Sequence, residues 1–327
     1  MKRILILFGI ILLLGGIVYV LQKNKKDNSA NINRAESNFR INNPLTIGRI
    51  ILTNKSGARS DLKRTGDHWT INDKYKARQS NVELLLQAIQ NQNLDHIPNR
   101  AAVEDILKTM ATSGIHVEIF DLEGKPLLSY YVGGVTQDEY GTFFLKEGSS
   151  QPYCLTLPGF DGSLRPRYAM QPLDWRDVRF WMEDNEKIDS IIVDYPLQHQ
   201  HAFIAYKKGL GYDVVPLYKT TPIQQGQNTN LVKSYLITLS KLACEDYVNN
   251  IPEKDSVLQL KPFMEMRLVY PDKHSRLRFY PVGTPGNSEF SSPYSHYYID
   301  YEGRDFMLAQ YEVIKGAFRS YDYFFGR

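Results

Sequence analysis

Two stretches of this chain are near copies of each other, and this self-similarity restricts the fold more than any other feature of the sequence. Ile47-Gly48-Arg49-Ile50-Ile51-Leu52 is matched by Ile188-Asp189-Ser190-Ile191-Ile192-Val193. Each leads into a charged, hairpin-like stretch and then an aromatic strand, Asp67-His68-Trp69-Thr70-Ile71 in one and Gly211-Tyr212-Asp213-Val214-Val215 in the other. A helical stripe comes next. Val82, Leu85, Leu86 and Ile89 stand at i, i+3, i+4 and i+7, and Val232, Tyr235, Leu236 and Leu239 repeat them at a constant offset of 150. That spacing buries one face of a helix against a sheet. Ser80, with Glu83 three residues on, reads as a capping box for the first helix, and Asn230 as the cap of the second.

The parallel continues to the end of each copy. Ile97-Pro98 and Ile251-Pro252 close the helical region. A second helix follows in the first copy, capped by Asn99, with Val103, Ile106, Leu107 and Met110 inward and Gly114 as its stop; residues 253–260 are the shorter counterpart. Period-two alternation then marks strands at Ile115, Val117 and Ile119 against Met264, Met266 and Leu268, and at 127–132 against 277–282, ending at Gly133 or Gly283. Further strands are predicted at 142–145 and 152–157, matched by 297–300 and 306–309. Strands joined as hairpins, with helices grouped apart, predict an α+β fold. It consists of two tandem related units, each a mainly antiparallel sheet with one or two helices on a face. The expected division is an anchor over residues 1–26, a polar linker over 27–43, and units at 44–182 and 183–327.

The anchor reading rests on residues 4–21, an apolar run flanked by Lys2 and Arg3 on one side and Lys23, Lys25 and Lys26 on the other. As a helix it extends roughly 27 Å, enough to cross a bilayer. Large residues at Tyr19, Val20 and Leu21 replace the small ones that a cleavage site needs, so a retained single-pass transmembrane helix is expected. The run is followed by no cysteine to which lipid could be attached. The lipid bilayer is thus the first expected partner, with the body outside the cytoplasm.

Charge excludes another class of partner. The chain carries a net charge of +3, but residues 1–27 alone hold five basic residues and one acid, so the remaining 300 residues sum to −1. Nucleic acid is not an expected partner for such a body.

The motifs in the body bring a family into view. The Ile-Gly-Arg-Ile-Ile-Leu strand, the Gly-x-x-Trp strand from Gly66 to Trp69, and Tyr131-Val132-Gly133-Gly134 are three of them. Above all, Asp174-Trp175-Arg176-Asp177 leads into the second copy of the first strand. Together with the anchor they resemble the bacterial family known as domain of unknown function 4340, over most of residues 44–327. The resemblance implies a tethered envelope protein, with accessory parts of ABC-type export or gliding-motility systems as the setting, and an envelope protein as partner. It implies no catalytic residues. The second copy departs from the pattern by ending in Arg319-Ser320-Tyr321-Asp322-Tyr323 rather than a Trp-Arg-Asp motif.

Candidate chemistry is sparse. The sequence has no Gly-x-Ser-x-Gly elbow, phosphate loop or His-Glu-x-x-His motif. His199 and His201 would share a face on a strand but lack a third ligand, and are expected at a solvated hairpin tip. The neighbouring acids Asp138-Glu139 and Glu245-Asp246 point in different directions on regular backbone. Cys154 and Cys244 are expected as two buried thiols. No catalytic residue, cofactor site or metal site is predicted, and the chain is expected not to be an enzyme.

Two clusters stand out as interaction sites. Trp175, Arg176 and Asp177 are expected as an aromatic plug with a local ion pair at the seam between repeats, a ligand clamp being the functional alternative. In the tyrosine-rich stretch, alternation places Tyr294, His296 and Tyr298 on one face and Tyr297, Ile299 and Tyr301 on the other. An outward aromatic row of this kind could hold glycan or protein. The expectation is an accessory or scaffold subunit of an envelope complex, the alternative an extracytoplasmic binding module for glycan or peptide at the inter-repeat cleft.

Overall fold

The computed structural model describes residues 37–168, 171–180, 187–283 and 294–326. The predicted anchor at 4–21 lies outside them, and among the described residues no helix is long and apolar enough to cross a membrane. The chain divides into two compact units, Met1–Arg176 and Asp177–Arg327, a boundary six residues ahead of the expected one.

In the first unit the elements are β1 (Ile47–Thr53), β2 (Arg59–Thr65), β3 (His68–Ile71), β4 (Tyr75–Lys76), α1 (Gln79–Asn91), β5 (Asn93–His96), α2 (Arg100–Ser113), β6 (Ile115–Asp121), β7 (Pro126–Val135), β8 (Thr142–Lys146) and β9 (Pro152–Thr156). The second has β10 (Ser190–Asp194), β11 (Phe203–Lys208), β12 (Gly211–Pro216), α3 (Thr229–Leu239), β13 (Asp246–Tyr247), α4 (Lys254–Leu258), β14 (Met264–Val269), β15 (His274–Pro281), β16 (His296–Tyr301), β17 (Asp305–Gln310) and α5 (Tyr311–Ile314).

The strand orders are β4-β3-β2-β1-β6-β7-β8-β9-β5 and β12-β11-β10-β14-β15-β16-β17-β13. Apart from β4, they are the same order. In each unit a three-stranded meander leaves the sheet through a helix and a short strand at the far edge. The chain then returns to the middle, and a second meander runs out to meet that edge strand.

Register agrees as well as order. Ile50 pairs with Ile119 and Leu52 with Val117 across β1 and β6; Ile191 pairs with Leu268 and Val193 with Met266 across β10 and β14. These are the residues that correspond in the two copies, so the duplication read from sequence is present in the backbone pairing.

Each unit has its own core. Val82, Leu85, Ala88 and Ile89 of α1 are buried with Ile50, Leu62, Tyr130 and Phe144 of the first sheet. Val232, Tyr235, Leu236 and Leu239 of α3 are buried with Ile191, Phe203, Phe279 and Ile299 of the second. A fully buried side chain of this size contributes about 1.5–3 kcal/mol through removal from water. The first core also contains a closed polar chain. The Tyr130 hydroxyl donates to Tyr168 at 3.2 Å, Tyr168 to Gln92 Oε1 at 2.8 Å, and Gln92 Nε2 to the Phe39 carbonyl at 2.6 Å. Burial, opposed only in part by these hydrogen bonds, pushes the Tyr130 phenol well up.

Several local expectations shift. Helix α1 begins at Gln79, with Arg78 as its cap residue, and α3 is capped by Asn228, whose side chain accepts from the Asn230 amide at 3.0 Å. Both cap residues precede the expected caps Ser80 and Asn230 by two positions. In the first unit a tertiary bond sets the entry, since the Arg78 amide donates to the Trp175 carbonyl at 2.6 Å, while Glu83 accepts from Gln79 at 3.0 Å instead of closing a capping box. Asn99 caps α2 as expected, accepting from the Ala102 amide at 2.9 Å.

Gly133 and Gly134 lie inside β7, where the register with β8 shifts between Val132 and Val135, so the strand does not end at Gly133. A Cβ at Gly133 would meet Met110 of α2 at 2.5 Å, so the missing side chain is what lets α2 approach.

Packing also starts earlier than Pro44. Phe39, inside the expected linker, is 1% exposed and sits edge-on to Tyr130, Phe144 and Tyr153 with ring centroids 5.6–5.8 Å away. The Ile41 amide donates to the Ile89 carbonyl of α1 at 3.2 Å.

Replacing Phe39 by Ala should therefore lower the unfolding free energy of the first unit by about 3–5 kcal/mol in urea titration, whereas a spacer residue would leave it unchanged. A second outcome concerns pH. The Arg49 guanidinium, donating from Nε to Asp61 at 2.8 Å, is the main cause that holds the Asp61 carboxyl below the usual range. A depressed folded-state pKa stabilises above the unfolded value of roughly 3.9 and is lost as pH falls through the folded one. The stability gap between wild type and Asp61→Asn should hold from neutral pH to about pH 5 and close at lower pH.

Candidate functional site

The Trp-Arg-Asp motif is divided between the units. Trp175 is fully buried in the first core, its carbonyl holding the start of α1. Arg176 lies over the Tyr75 ring at 3.8 Å and pairs its backbone with Ala77, extending the β4 edge. Asp177 belongs to the second unit. Its carboxylate takes Arg179 Nη2 at 2.8 Å, and its carbonyl accepts from the Tyr247 hydroxyl at 2.7 Å. Within the motif Asp177 thus pairs with Arg179, and the aromatic anchor serves the first core.

The tyrosine strand follows its alternation from residue 296 onward. Tyr297 and Ile299 are buried on the core side, while His296 and Tyr298 are half-buried on the other. Tyr298 stacks on Phe306 at 5.1 Å. Tyr294 precedes the strand, so the alternation does not extend to it, and it packs toward the core with its ring 6.1 Å from Tyr297. Beside Tyr298, Arg278 donates to the fully buried Asp300 at 2.8 Å, and Asp300 also accepts the Gly303 amide at 3.1 Å, fixing the turn between β16 and β17.

His199 and His201 sit in one turn of 3-10 helix and not on a strand. His199 stacks on Tyr218 at 4.2 Å and His201 meets the Tyr195 ring edge-on. Cys154 and Cys244 are buried thiols, and Cys244 Sγ donates to the Val178 carbonyl at 3.3 Å.

The first unit contains a cavity of about 340 Å³, lined among others by Asn54, Lys55, Ser60, Ser113, Arg165 and Tyr168. Its deepest cation is Arg165, whose guanidinium donates to the carbonyls of Gly133, Val132 and, at 2.6 Å, Ser113. Arg165 thereby covers orphan carbonyls at the C-terminus of α2 and the irregular end of β7. Lys55, the other cation lining it, lies 5.7 Å over the Tyr131 ring.

A group that sequence reasoning missed lies at the β5 edge. One ligand atom from each of Asp95, His96 and Cys154 falls within 4.8 Å of the others. Asp95 Oδ2 is 2.7 Å from His96 Nδ1. The cysteine is 58 residues from the histidine, and the only local signal was the Asp-His pair itself.

In the second unit the residues corresponding to His96 and Cys154, read from the helix offset and sheet register, are Asp246 and Leu308, which pair across β13 and β17. The corresponding corner holds an ion pair, Glu245 with His296 at 3.3 Å. No family model, curated protein or solved structure matches the chain.

Arg278→Ala should cost about 3–5 kcal/mol of second-unit stability, because it leaves Asp300 charged and buried without its partner. The Arg278→Met, Asp300→Asn double variant should recover much of the loss in a denaturant-monitored double-mutant cycle; equal losses in single and double variants would contradict this account of the pair.

Proposed function

We propose that the protein is a non-catalytic, membrane-tethered scaffold or accessory subunit of an envelope complex, with residues 4–21 in the bilayer and the body on the extracytoplasmic side. The observation that carries this reading is the duplication: two modules with the same strand order and separate cores, but different polar side chains on corresponding positions. Duplicating a rigid frame while varying what it displays multiplies contact surface without repeating any one chemical site. The non-core side of the first sheet presents Arg49, Asp61, His116 and Glu118; that of the second presents Glu265, Arg267, Arg278 and Tyr298.

Charged groups on these sides are paired, Arg49 with Asp61 and Arg278 with Asp300. Such pairs order a surface and set its specificity more than they add raw affinity. The resemblance to the domain of unknown function 4340 family, with its tethered envelope members, fits the same reading, as does the predicted single-pass anchor.

Full-length protein should fractionate with membranes, and a variant lacking residues 4–21 should not. Mild crosslinking in the native membrane should then recover the protein with a reproducible envelope protein partner. Recovery of the monomer alone, from membranes in which control complexes crosslink, would overturn the proposal.

A further inference from the structure

The geometry points to a transition-metal site, of the zinc type, built from Asp95, His96 and Cys154 at the outer edge of the first sheet. Strand β5 pairs with β9 through Asn93 with Thr156 and Leu94 with Leu155, but the next pair is His96 with Cys154, reached through a register irregularity between Leu94 and His96. On a regular strand Asp95 and His96 would project to opposite faces. A bulge inserts one residue and re-aims side chains, which is how two consecutive residues come to point toward the same thiol. The 2.7 Å contact between Asp95 Oδ2 and His96 Nδ1 places them on that common side.

The thiol is housed rather than simply buried. Cys154 Sγ points at Gly141, where a Cβ would overlap the sulfur. Gly141 is not among the glycines with positive φ, so what its missing side chain provides is room beside the sulfur. A cation arriving beside the thiol, Asp95 and His96 takes the sulfur as a ligand, the thiol proton passing to solvent as the thiolate–metal bond forms.

The donor set selects the metal. One sulfur, one imidazole nitrogen and one carboxylate oxygen disfavour calcium and magnesium, which take oxygen ligands, and suit zinc or cobalt. With bonds of about 2.0–2.3 Å, tetrahedral zinc ligands lie roughly 3.3–3.8 Å apart, so the group closes on an ion by contracting about an ångström. Asp95 and His96 are exposed and can rotate inward, and a fourth position remains for water. The second unit supplies an internal contrast, since Leu308 replaces the cysteine and the site is confined to the first module.

The test uses untagged full-length protein in detergent, stripped with chelator and titrated with Zn²⁺ against a chromophoric competitor, and separately with Co²⁺. The expected result is one equivalent of Zn²⁺ per chain and a thiolate-to-cobalt charge-transfer band. His96→Gln, on an exposed side chain that leaves the fold intact by circular dichroism, should weaken Zn²⁺ binding about ten-fold or more. Cys154→Ser should abolish the cobalt band, and Cys244→Ser should change neither. Absence of stoichiometric binding, or Zn²⁺ affinity that survives His96→Gln, or a cobalt spectrum without a thiolate band, would overturn the assignment.

Discussion

The structure depends on one non-local pairing made twice. In each unit the first strand is joined on one side by its hairpin partner and on the other by a strand that arrives only after the helices, β6 beside β1 and β14 beside β10. The chain between those partners includes the helix that covers the core. Closing it orders many residues before the central pair is formed, a cost that grows only slowly with loop length but must be offset by burial on the helix-facing side. The i, i+3, i+4, i+7 stripe and the alternation of Ile50 and Leu52, or Ile191 and Val193, supply that burial together. A one-residue slip in the pairing would turn the inward set outward.

This explains which parts of the fold were legible in the sequence. Period-two and period-3.6 patterns are local, and the helices, most strands and the duplication followed from them. What did not follow depended on partners distant in sequence. Ser80 looked like a cap, but the Trp175 carbonyl fixes the entry at Arg78. Phe39 stands among polar residues, and nothing local reveals the ring cluster that buries it. Gly133 read as the end of its strand because the close approach of Met110 is visible only in three dimensions. The division of Trp175-Arg176-Asp177 between two units has the same origin, each residue being claimed by a different core.

The Asp95, His96 and Cys154 group illustrates the limit most clearly. Alternation would separate Asp95 from His96, and only the irregular pairing of β5 with β9 unites them with the cysteine. The same corner of the second module also has a carboxylate and a histidine, Glu245 and His296, but its histidine comes from β16 and Leu308 stands in place of the thiol. One backbone frame therefore carries two different side-chain constellations at corresponding places. That is the pattern expected when a duplicated fold is held by its core and diversified at its edges.

The central claim, that one helix-over-sheet module was built twice around the same inner pairing, is tested most directly by native-state hydrogen exchange of the full chain. The account predicts two separate sets of slowest amides, one centred on residues 50–52 and 117–119 and the other on 191–193 and 266–268, with the edge strands β4 and β12 exchanging much faster. A single protected set confined to one half, or slowest exchange at the edge strands, would contradict it.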